Sequence, residues 1–197
     1  MSKLTVTSFI TLDNVVEDPH LWSGQFQSDD TGQLNNDVLL ESDALLLGRV
    51  TYEGFAAAWP SRSGDSFSDK FNAMPKYVVS SSLERAEWNN STIVSDDVIE
   101  RVRALRADQN LLVWGSPTLV QTLMEHDLVD EYVLLVSPIV RAKGIRLFRD
   151  VGEEHGLRIT EATVLGGMLA LRMTPARIAF ARSGRDGLTR GDTRRST

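Results

Sequence analysis

The chain has 197 residues, 42% of them hydrophobic and 24% charged, which suits a folded domain with a sizeable core, and its formal net charge of −6 argues against nucleic-acid binding. It contains no cysteine and three histidines without zinc-site spacing, so the sequence excludes disulfides and thiolate metal sites and predicts no metal. No secretory signal or apolar run of membrane-spanning length is visible, and we therefore expect a cytoplasmic protein with no membrane association.

The first third of the chain alternates apolar runs with segments rich in polar and turn-forming residues. Alternating β-branched residues indicate strands, and apolar residues three or four apart indicate helices. The predicted elements are a strand over 3–12, a long loop over 13–26, a helix over 30–42, a buried strand over 44–47 and a helix over 52–58 capped by Thr51.

The remainder of the folded region continues this alternation and then changes to consecutive strands. In order, we predict a helical turn over 69–74, strands over 76–83 and 91–94, a helix over 95–107 capped by Ser95 or Asp96, a strand over 110–115, a helix over 116–127 capped by Ser116, a strand over 130–140, a basic glycine loop over 141–148, and a hairpin over 157–175 that turns at Gly166 and Gly167. This order predicts an α/β fold whose mostly parallel central sheet has an antiparallel C-terminal hairpin at its edge.

The C-terminal segment differs in composition from the rest of the chain. Residues 176–197 contain six arginines and two aspartates and lack hydrophobic periodicity. We therefore divide the chain into a folded domain over 1–176 and a basic, disordered tail over 177–197.

Three junctions at predicted strand ends carry residues suited to binding an anion: 48–51, 80–82 and 115–118. Gly48 allows close backbone approach, and Arg49 is a forked cation that matches phosphate. The first and third junctions also open helices whose free amides favour anions. Each junction alone is also compatible with ordinary turn chemistry. Their recurrence at the carboxyl ends of strands in one sheet predicts a shared cradle for one phosphate-bearing cofactor.

The order of several segments resembles a known family. These segments are "ITLDNVVEDP", "DALLLGRVTYEGFAAAWP", "MPKYVVSSSL", "LLVWGSPTLVQTLMEHDLVDEYVLLVSPIV" and "KGIRLF". Together they resemble the dihydrofolate-reductase-like family, and more closely the C-terminal reductase domain of the bifunctional riboflavin-biosynthesis deaminase-reductase. The resemblance spans roughly residues 3–175 and implies a three-layer dihydrofolate-reductase-like fold, NADPH as cofactor and a homodimer.

The resemblance also implies roles for individual residues. The loop over 12–16, which includes Val15, corresponds to the segment that closes over nicotinamide and substrate, and Asp13 corresponds to the aspartate of a Ser-Leu-Asp-Gly motif in the catalytic region. The implied cofactor contacts are Gly48, Arg49 and Thr51 to the phosphates, Ser80 and Ser81 near the adenosine 2′-phosphate, and Gly115, Ser116 and Thr118 at the pyrophosphate.

Two departures from the folate reductases bear on the substrate. Gly115-Ser116 stands where those enzymes have Gly-Gly, so the unusual peptide geometry of that turn is not expected here. No acid on the first predicted helix aligns with their pterin-binding carboxylate, which argues against folate. A phosphorylated substrate needs further cations, which the 141–148 loop offers in Arg146 and its neighbours, although that loop is equally compatible with a plain surface role. Trp22 is a candidate for stacking on a flat substrate ring or, alternatively, for packing its own loop.

Three functions remain open from the sequence. The first is an NADPH-dependent reductase that transfers hydride to a small planar, pterin- or pyrimidine-like C=N or C=O compound. The second is a stand-alone 5-amino-6-(5-phosphoribosylamino)uracil reductase of riboflavin biosynthesis. The third is a non-catalytic protein that holds a nucleotide or a flavin such as FMN.

Overall fold

A central sheet organises the computed structural model, which describes residues 2–149 and 154–176. Within these ranges the sheet has eight strands in the order β4-β3-β2-β5-β1-β6-β8-β7. The strands are β1 Leu4–Thr11, β2 Ala44–Gly48, β3 Lys76–Val79, β4 Ser91–Val94, β5 Leu111–Trp114, β6 Glu131–Ser137, β7 Leu157–Leu165 and β8 Met168–Pro175.

Strand direction follows the predicted pattern. All neighbouring pairs among β1 to β6 are parallel, whereas β8 runs antiparallel to both β6 and β7. The β7–β8 turn has Gly166 at φ +60°, a left-handed conformation that glycine adopts without strain. The predicted α/β class, with a mostly parallel sheet and an antiparallel C-terminal hairpin, is confirmed.

Helices cover both faces of the sheet and complete three layers. They are α1 Asp29–Leu40, α2 Arg49–Ala58, α3 Ser66–Ala73, α4 Val98–Asp108 and α5 Pro117–Glu125. One apolar cluster joins α4 and α5 to the sheet, and a second joins α1, α2 and α3 to the opposite face. Strands buried on both faces explain the continuous apolar runs in β2 and β5.

Several predicted boundaries of strands and helices were wrong because side chains at these ends make other hydrogen bonds than the sequence pattern indicates. The strand predicted over 76–83 ends at Val79, where the Ser80 hydroxyl accepts hydrogen bonds from the N–H groups of Ser82 and Leu83 and turns the chain. The helix predicted from 95 begins at Val98, with Asp97 in a left-handed conformation before it and without a side-chain cap.

The helical turn predicted over 69–74 begins earlier, at Ser66, because Asp65 caps it by accepting the Ser68 N–H at 2.9 Å. No helix among the described residues is long and apolar enough to cross a membrane. In the same part of the chain, no group of three or more histidine, aspartate or glutamate side chains is placed to hold a metal ion. The tail predicted over 177–197 lies outside the described residues.

Candidate functional site

The candidate site lies where β2 and β5 separate at the carboxyl edge of the sheet. The two strands pair only at Ala44–Leu111 and Leu45–Leu112, and α2 and α5 begin directly after their ends. With no ladder partner on β5, the backbone N–H of Gly48 donates instead to Ser116 Oγ at 3.0 Å. The first and third predicted junctions are therefore neighbours in space.

A second hydrogen bond joins the same two turns in the opposite direction. The backbone N–H of Ser116 donates to Thr51 Oγ1 at 3.1 Å, and the Ser116 hydroxyl donates to the Trp114 carbonyl at 3.3 Å. Neither hydroxyl caps its own helix. The predicted cap at Thr51 was wrong, because Gly48 is the N-cap residue of α2, whereas Ser116 is the N-cap residue of α5 as predicted but makes no capping bond with its side chain. Thr51 lies in the first turn of α2, which begins at Arg49 after Gly48.

Both glycines of the site lie within ordinary contact distance of the opposite turn. A Cβ built on Gly48 would lie 3.6 Å from Ser116 Cβ, and one built on Gly115 would lie 3.6 Å from Thr51 Cγ2. Gly115 and Ser116 have φ of +62° and +52°, and the chain therefore makes two consecutive left-handed steps before α5. The peptide bonds among the described residues, including the one between Gly115 and Ser116, are trans.

The resulting geometry suits an anion. The first N–H groups of a helix have no intrahelical acceptor, and the helix dipole adds partial positive charge there. Here α2 and α5 begin at two turns that are hydrogen-bonded to each other. Thr118 is exposed on the first turn of α5. The two turns, 48–51 and 115–118, thus form one cradle with two helix N-termini, which we call the twin-turn cradle.

Arg49 contributes a cation at the start of α2, but a carboxylate already binds it. Its Nη1 lies 3.0 Å from both carboxylate oxygens of Glu53, one helical turn later. The two side chains are 43% and 47% exposed. Sequence reasoning missed Glu53, although its i,i+4 spacing from Arg49 was visible.

The second predicted junction follows the strand next to β2. Gly48 pairs with Val79 at the end of β3, which places Ser80 and Ser81 beside the twin-turn cradle. The nearly buried Ser80 hydroxyl accepts two local N–H groups, whereas Ser81 is exposed. Of this pair, Ser81 therefore has the more accessible hydroxyl.

Asp13 anchors the loop that follows β1. Its carboxylate accepts hydrogen bonds from Thr11 Oγ1 at 2.7 Å and from the backbone N–H groups of Arg141 and Ala142 at 3.1 and 2.7 Å. These bonds, chiefly the one from Thr11, lower the pKa of Asp13 to about 2. The group is therefore ionised at neutral pH, and its three hydrogen bonds hold the loop after β1 to the 141–142 backbone.

The loop over 12–16 is held firmly against the segment 139–148. The Asn14 side chain pairs with both backbone polar groups of Phe148, and the Val16 N–H donates to the Ile145 carbonyl at 2.8 Å. Val15 is fully buried and forms a bridge with Arg146, whose Nε donates to the Asp13 carbonyl at 3.3 Å. Buried in this way, the Val15 side chain contributes packing to the site.

Asn14 is a further residue that sequence reasoning missed. It has φ of +72°, which asparagine tolerates better than most residues. Its side-chain amide bonds to the N–H and the carbonyl of Phe148, as the backbone of a neighbouring strand would. The Asp13-Asn14 dipeptide is typical of a turn, and this is the sequence feature that could have drawn attention to Asn14.

Two predicted substrate contacts have different surroundings. Arg146 is exposed in the basic loop. Trp22 is only 4% exposed, and its indole N–H donates to the Glu17 carbonyl at 2.9 Å, so the ring packs its own loop. Of the two predicted roles of Trp22, the structure supports packing of its own loop.

A family model and a bacterial relative match most of this chain. A family model described as the RibD C-terminal domain matches residues 2–171. The uncharacterised protein YwjB of Bacillus subtilis (strain 168) is 26% identical over 173 residues, which cover 85% of this chain and 94% of that protein.

Solved structures share the architecture. A pyrimidine reductase-like protein of Corynebacterium diphtheriae has a TM-score of 0.67 and 11% identity over 90% of this chain and 93% of its own. The riboflavin biosynthesis reductase of Saccharomyces cerevisiae has a TM-score of 0.60 and 13% identity over 89% of this chain and 90% of its own. At such identities the likeness shows the fold, which confirms the predicted dihydrofolate-reductase-like architecture.

Proposed function

The chain belongs to the RibD C-terminal domain family, and on that premise we propose that it is an NADPH-dependent reductase acting on a small, planar, pyrimidine-like substrate. The names of the two structural neighbours, a pyrimidine reductase-like protein and a riboflavin biosynthesis reductase, support this class of substrate. The observation that carries the proposal is the pair of hydrogen bonds joining Gly48 to Ser116 and Ser116 to Thr51. They hold the N-termini of α2 and α5 together, which supports a phosphate site shared by the two turns.

The residues present fit a dinucleotide. The N–H groups of Gly48, Gly115 and Ser116 already have protein acceptors, so the amides that would contact phosphate oxygens are those of the first turns of α2 and α5. Arg49, Ser81 and Thr118 are exposed around the twin-turn cradle. We propose that Thr118 donates to the diphosphate and that Arg49, together with Ser81, binds the 2′-phosphate. When bound, NADPH supplies the hydride, and the task of the chain is to bind and orient it.

We propose that the loop 12–16 forms the part of the site that faces nicotinamide and substrate. Asp13 and Asn14 hold it to the segment 139–148 through hydrogen bonds that do not depend on a ligand. The lowered pKa of Asp13 argues against general acid catalysis by that side chain at neutral pH, and water is the proton source that we propose.

Steady-state oxidation of NADPH with a panel of pterins, quinones and pyrimidines tests the proposal. We expect turnover with at least one pyrimidine-like acceptor, and faster turnover with NADPH than with NADH. Tight NADPH binding without oxidation by any acceptor would instead favour the non-catalytic nucleotide-binding function. A thermal-shift comparison of NADPH, NADH and FMN reports binding without turnover and tests FMN as a ligand.

A stand-alone 5-amino-6-(5-phosphoribosylamino)uracil reductase is the second candidate. It is favoured by the exposed cations Arg141, Lys143 and Arg146, which lie on the segment held against the Asp13 loop and could receive a substrate phosphate. Including this compound in the panel tests it directly. A deletion strain that still grows without riboflavin would remove this candidate.

We also propose a homodimer and a cytoplasmic location. The dimer is supported by β7, a strand of nine residues at the edge of the sheet. Its Ile159 and Val164 side chains are 58% and 74% exposed. A long, exposed edge strand with apolar side chains is suited to pairing with a second copy. Light scattering during gel filtration would distinguish a dimer from the 21.9 kDa monomer.

A further inference from the structure

The position of Arg49 is electrostatically unfavourable without a ligand. It is the first residue of α2, where the helix dipole favours negative charge and opposes a cation. Glu53 offsets this by placing both carboxylate oxygens 3.0 Å from Nη1. The order of the pair, with the cation N-terminal to the acid, is also the weaker of the two i,i+4 arrangements.

The geometry leaves part of the guanidinium available. Both contacts of the Glu53 carboxylate are to Nη1, and within the described residues Nε and Nη2 of Arg49 have no protein acceptor. A phosphate that binds the free edge of the guanidinium comes within a few ångströms of the Glu53 carboxylate. The carboxylate repels that phosphate and also keeps Nη1 from binding it.

We propose that Glu53 is a specificity-determining residue that weakens the 2′-phosphate site at Arg49 and thereby limits the preference for NADPH over NADH. This inference rests on the proposed function, because it requires a dinucleotide in the twin-turn cradle. It concerns only the phosphorylated cofactor, since NADH has no 2′-phosphate for Glu53 to repel.

The test is to measure the Kd of NADPH and of NADH for the full chain and for Glu53→Gln, Arg49→Ala and the double variant. Glu53→Gln removes the charge and keeps the shape, and we expect it to tighten NADPH binding about fivefold while NADH binding stays within about twofold. Arg49→Ala should weaken NADPH binding at least about tenfold relative to NADH. In the Arg49→Ala background, Glu53→Gln should give no NADPH-specific gain larger than about twofold, because Arg49 no longer holds the phosphate there.

Glu100→Gln is the matched control. Glu100 pairs with Arg103 on α4, at 3.9 Å and with both side chains largely exposed. Because α4 packs on the opposite face of the sheet from α2, removing its charge should leave both affinities unchanged. The gain from Glu53→Gln should also shrink at about 0.5 M salt, where repulsion between exposed charges is screened.

The outcomes separate this inference from the proposed function. If Glu53→Gln leaves the NADPH-to-NADH ratio unchanged, or lowers it, while Arg49→Ala lowers it, Glu53 does not oppose the phosphate and the inference is overturned. If Arg49→Ala affects both dinucleotides equally, Arg49 does not bind the 2′-phosphate, and that part of the proposed function fails together with the inference.

Discussion

Ser116 and Gly48 are joined across 68 positions of the chain, with the Ser116 hydroxyl accepting the Gly48 N–H at 3.0 Å. This contact occurs where β2 and β5 no longer pair, so it replaces the missing ladder bond. It also explains why a serine keeps a left-handed φ of +52°, a conformation that costs a non-glycine residue about 1 kcal/mol. The serine side chain ties together the two turns that the proposed cofactor spans.

Substitution of Ser116 separates its hydrogen bonds from its backbone strain. Ser116→Ala keeps the strain and leaves the Gly48 N–H without its acceptor, so we expect the free energy of unfolding to fall by about 1–2 kcal/mol. Ser116→Gly loses the same bond but relieves the strain and should be less destabilising by about 1 kcal/mol. Urea unfolding measures both. Equal stabilities for wild type and Ser116→Ala would show that the contact contributes nothing.

Gly48→Ala tests the close backbone approach at the twin-turn cradle. Gly48 has φ of −77°, and an added Cβ would make ordinary contacts at 3.6 Å or more. We therefore expect folding stability to change by less than about 1 kcal/mol. If phosphate contacts the backbone of this turn, the added methyl group, which would lie beside the Ser116 side chain, should hinder that contact and weaken NADPH binding at least about tenfold.

Gly54→Ala is the control for Gly48→Ala. Gly54 lies within α2, and a Cβ there would have no atom within 4 Å. The change should raise the free energy of unfolding by about 0.5–1 kcal/mol and leave the NADPH Kd unchanged. Unaltered NADPH binding in Gly48→Ala, measured by calorimetry, would argue against backbone contact with the cofactor at this turn.

The general architecture was predictable from sequence because it depends on local patterns. Continuous apolar runs predict strands covered on both faces, and the glycine pair at 166–167 predicts the final hairpin. The three junctions were also predictable as strand ends, and the parallel order places them at one edge of the sheet.

The contacts that shape the site were not predictable in the same way. Asp13 binds backbone groups 128 and 129 positions later, and no local pattern encodes such a pairing. The hydroxyls of Thr51 and Ser116 look like helix caps in the sequence, but each bonds to the turn of the other strand. The Arg49–Glu53 pair is different, since its spacing alone indicated a contact.

Asp13→Asn distinguishes a positioning role from acid catalysis. The pKa of Asp13 is about 2, so this group does not titrate between pH 5 and 9. Asparagine has a single acceptor oxygen, and its amide nitrogen would face a backbone N–H of the 141–142 segment. We expect a lower kcat with the same shape of pH–rate profile. Loss of a profile limb in Asp13→Asn would instead identify Asp13 as the titrating catalytic group.

Glu131 should make stability depend on pH. It binds Lys3 Nζ at 2.9 Å and Arg172 Nη1 at 3.1 Å with 15% of its side chain exposed. Burial alone would raise its pKa, but the bonds to Lys3 and Arg172 lower it below the ordinary 4.5. A lowered folded pKa means that this stabilisation is complete above pH 4.5 and is lost as the pH falls through the folded value.

The comparison of wild type with Glu131→Gln measures this effect. We expect the variant to be less stable by about 1–3 kcal/mol at pH 7, because two cations lose their partner. The difference should narrow as the pH falls from 5 to 3 in a series of urea unfolding curves. A difference that stays constant over this range would mean that the pKa of Glu131 is not lowered by folding.

The most direct test is an NMR titration of the labelled protein with NADPH, which follows the backbone amides of residues 49–51 and 118–119. If one dinucleotide spans the twin-turn cradle, the amides of both turns shift with the same Kd, and with NADH they again shift together but with a higher Kd. Shifts confined to one turn, or different Kd values for the two turns, would contradict a single shared site.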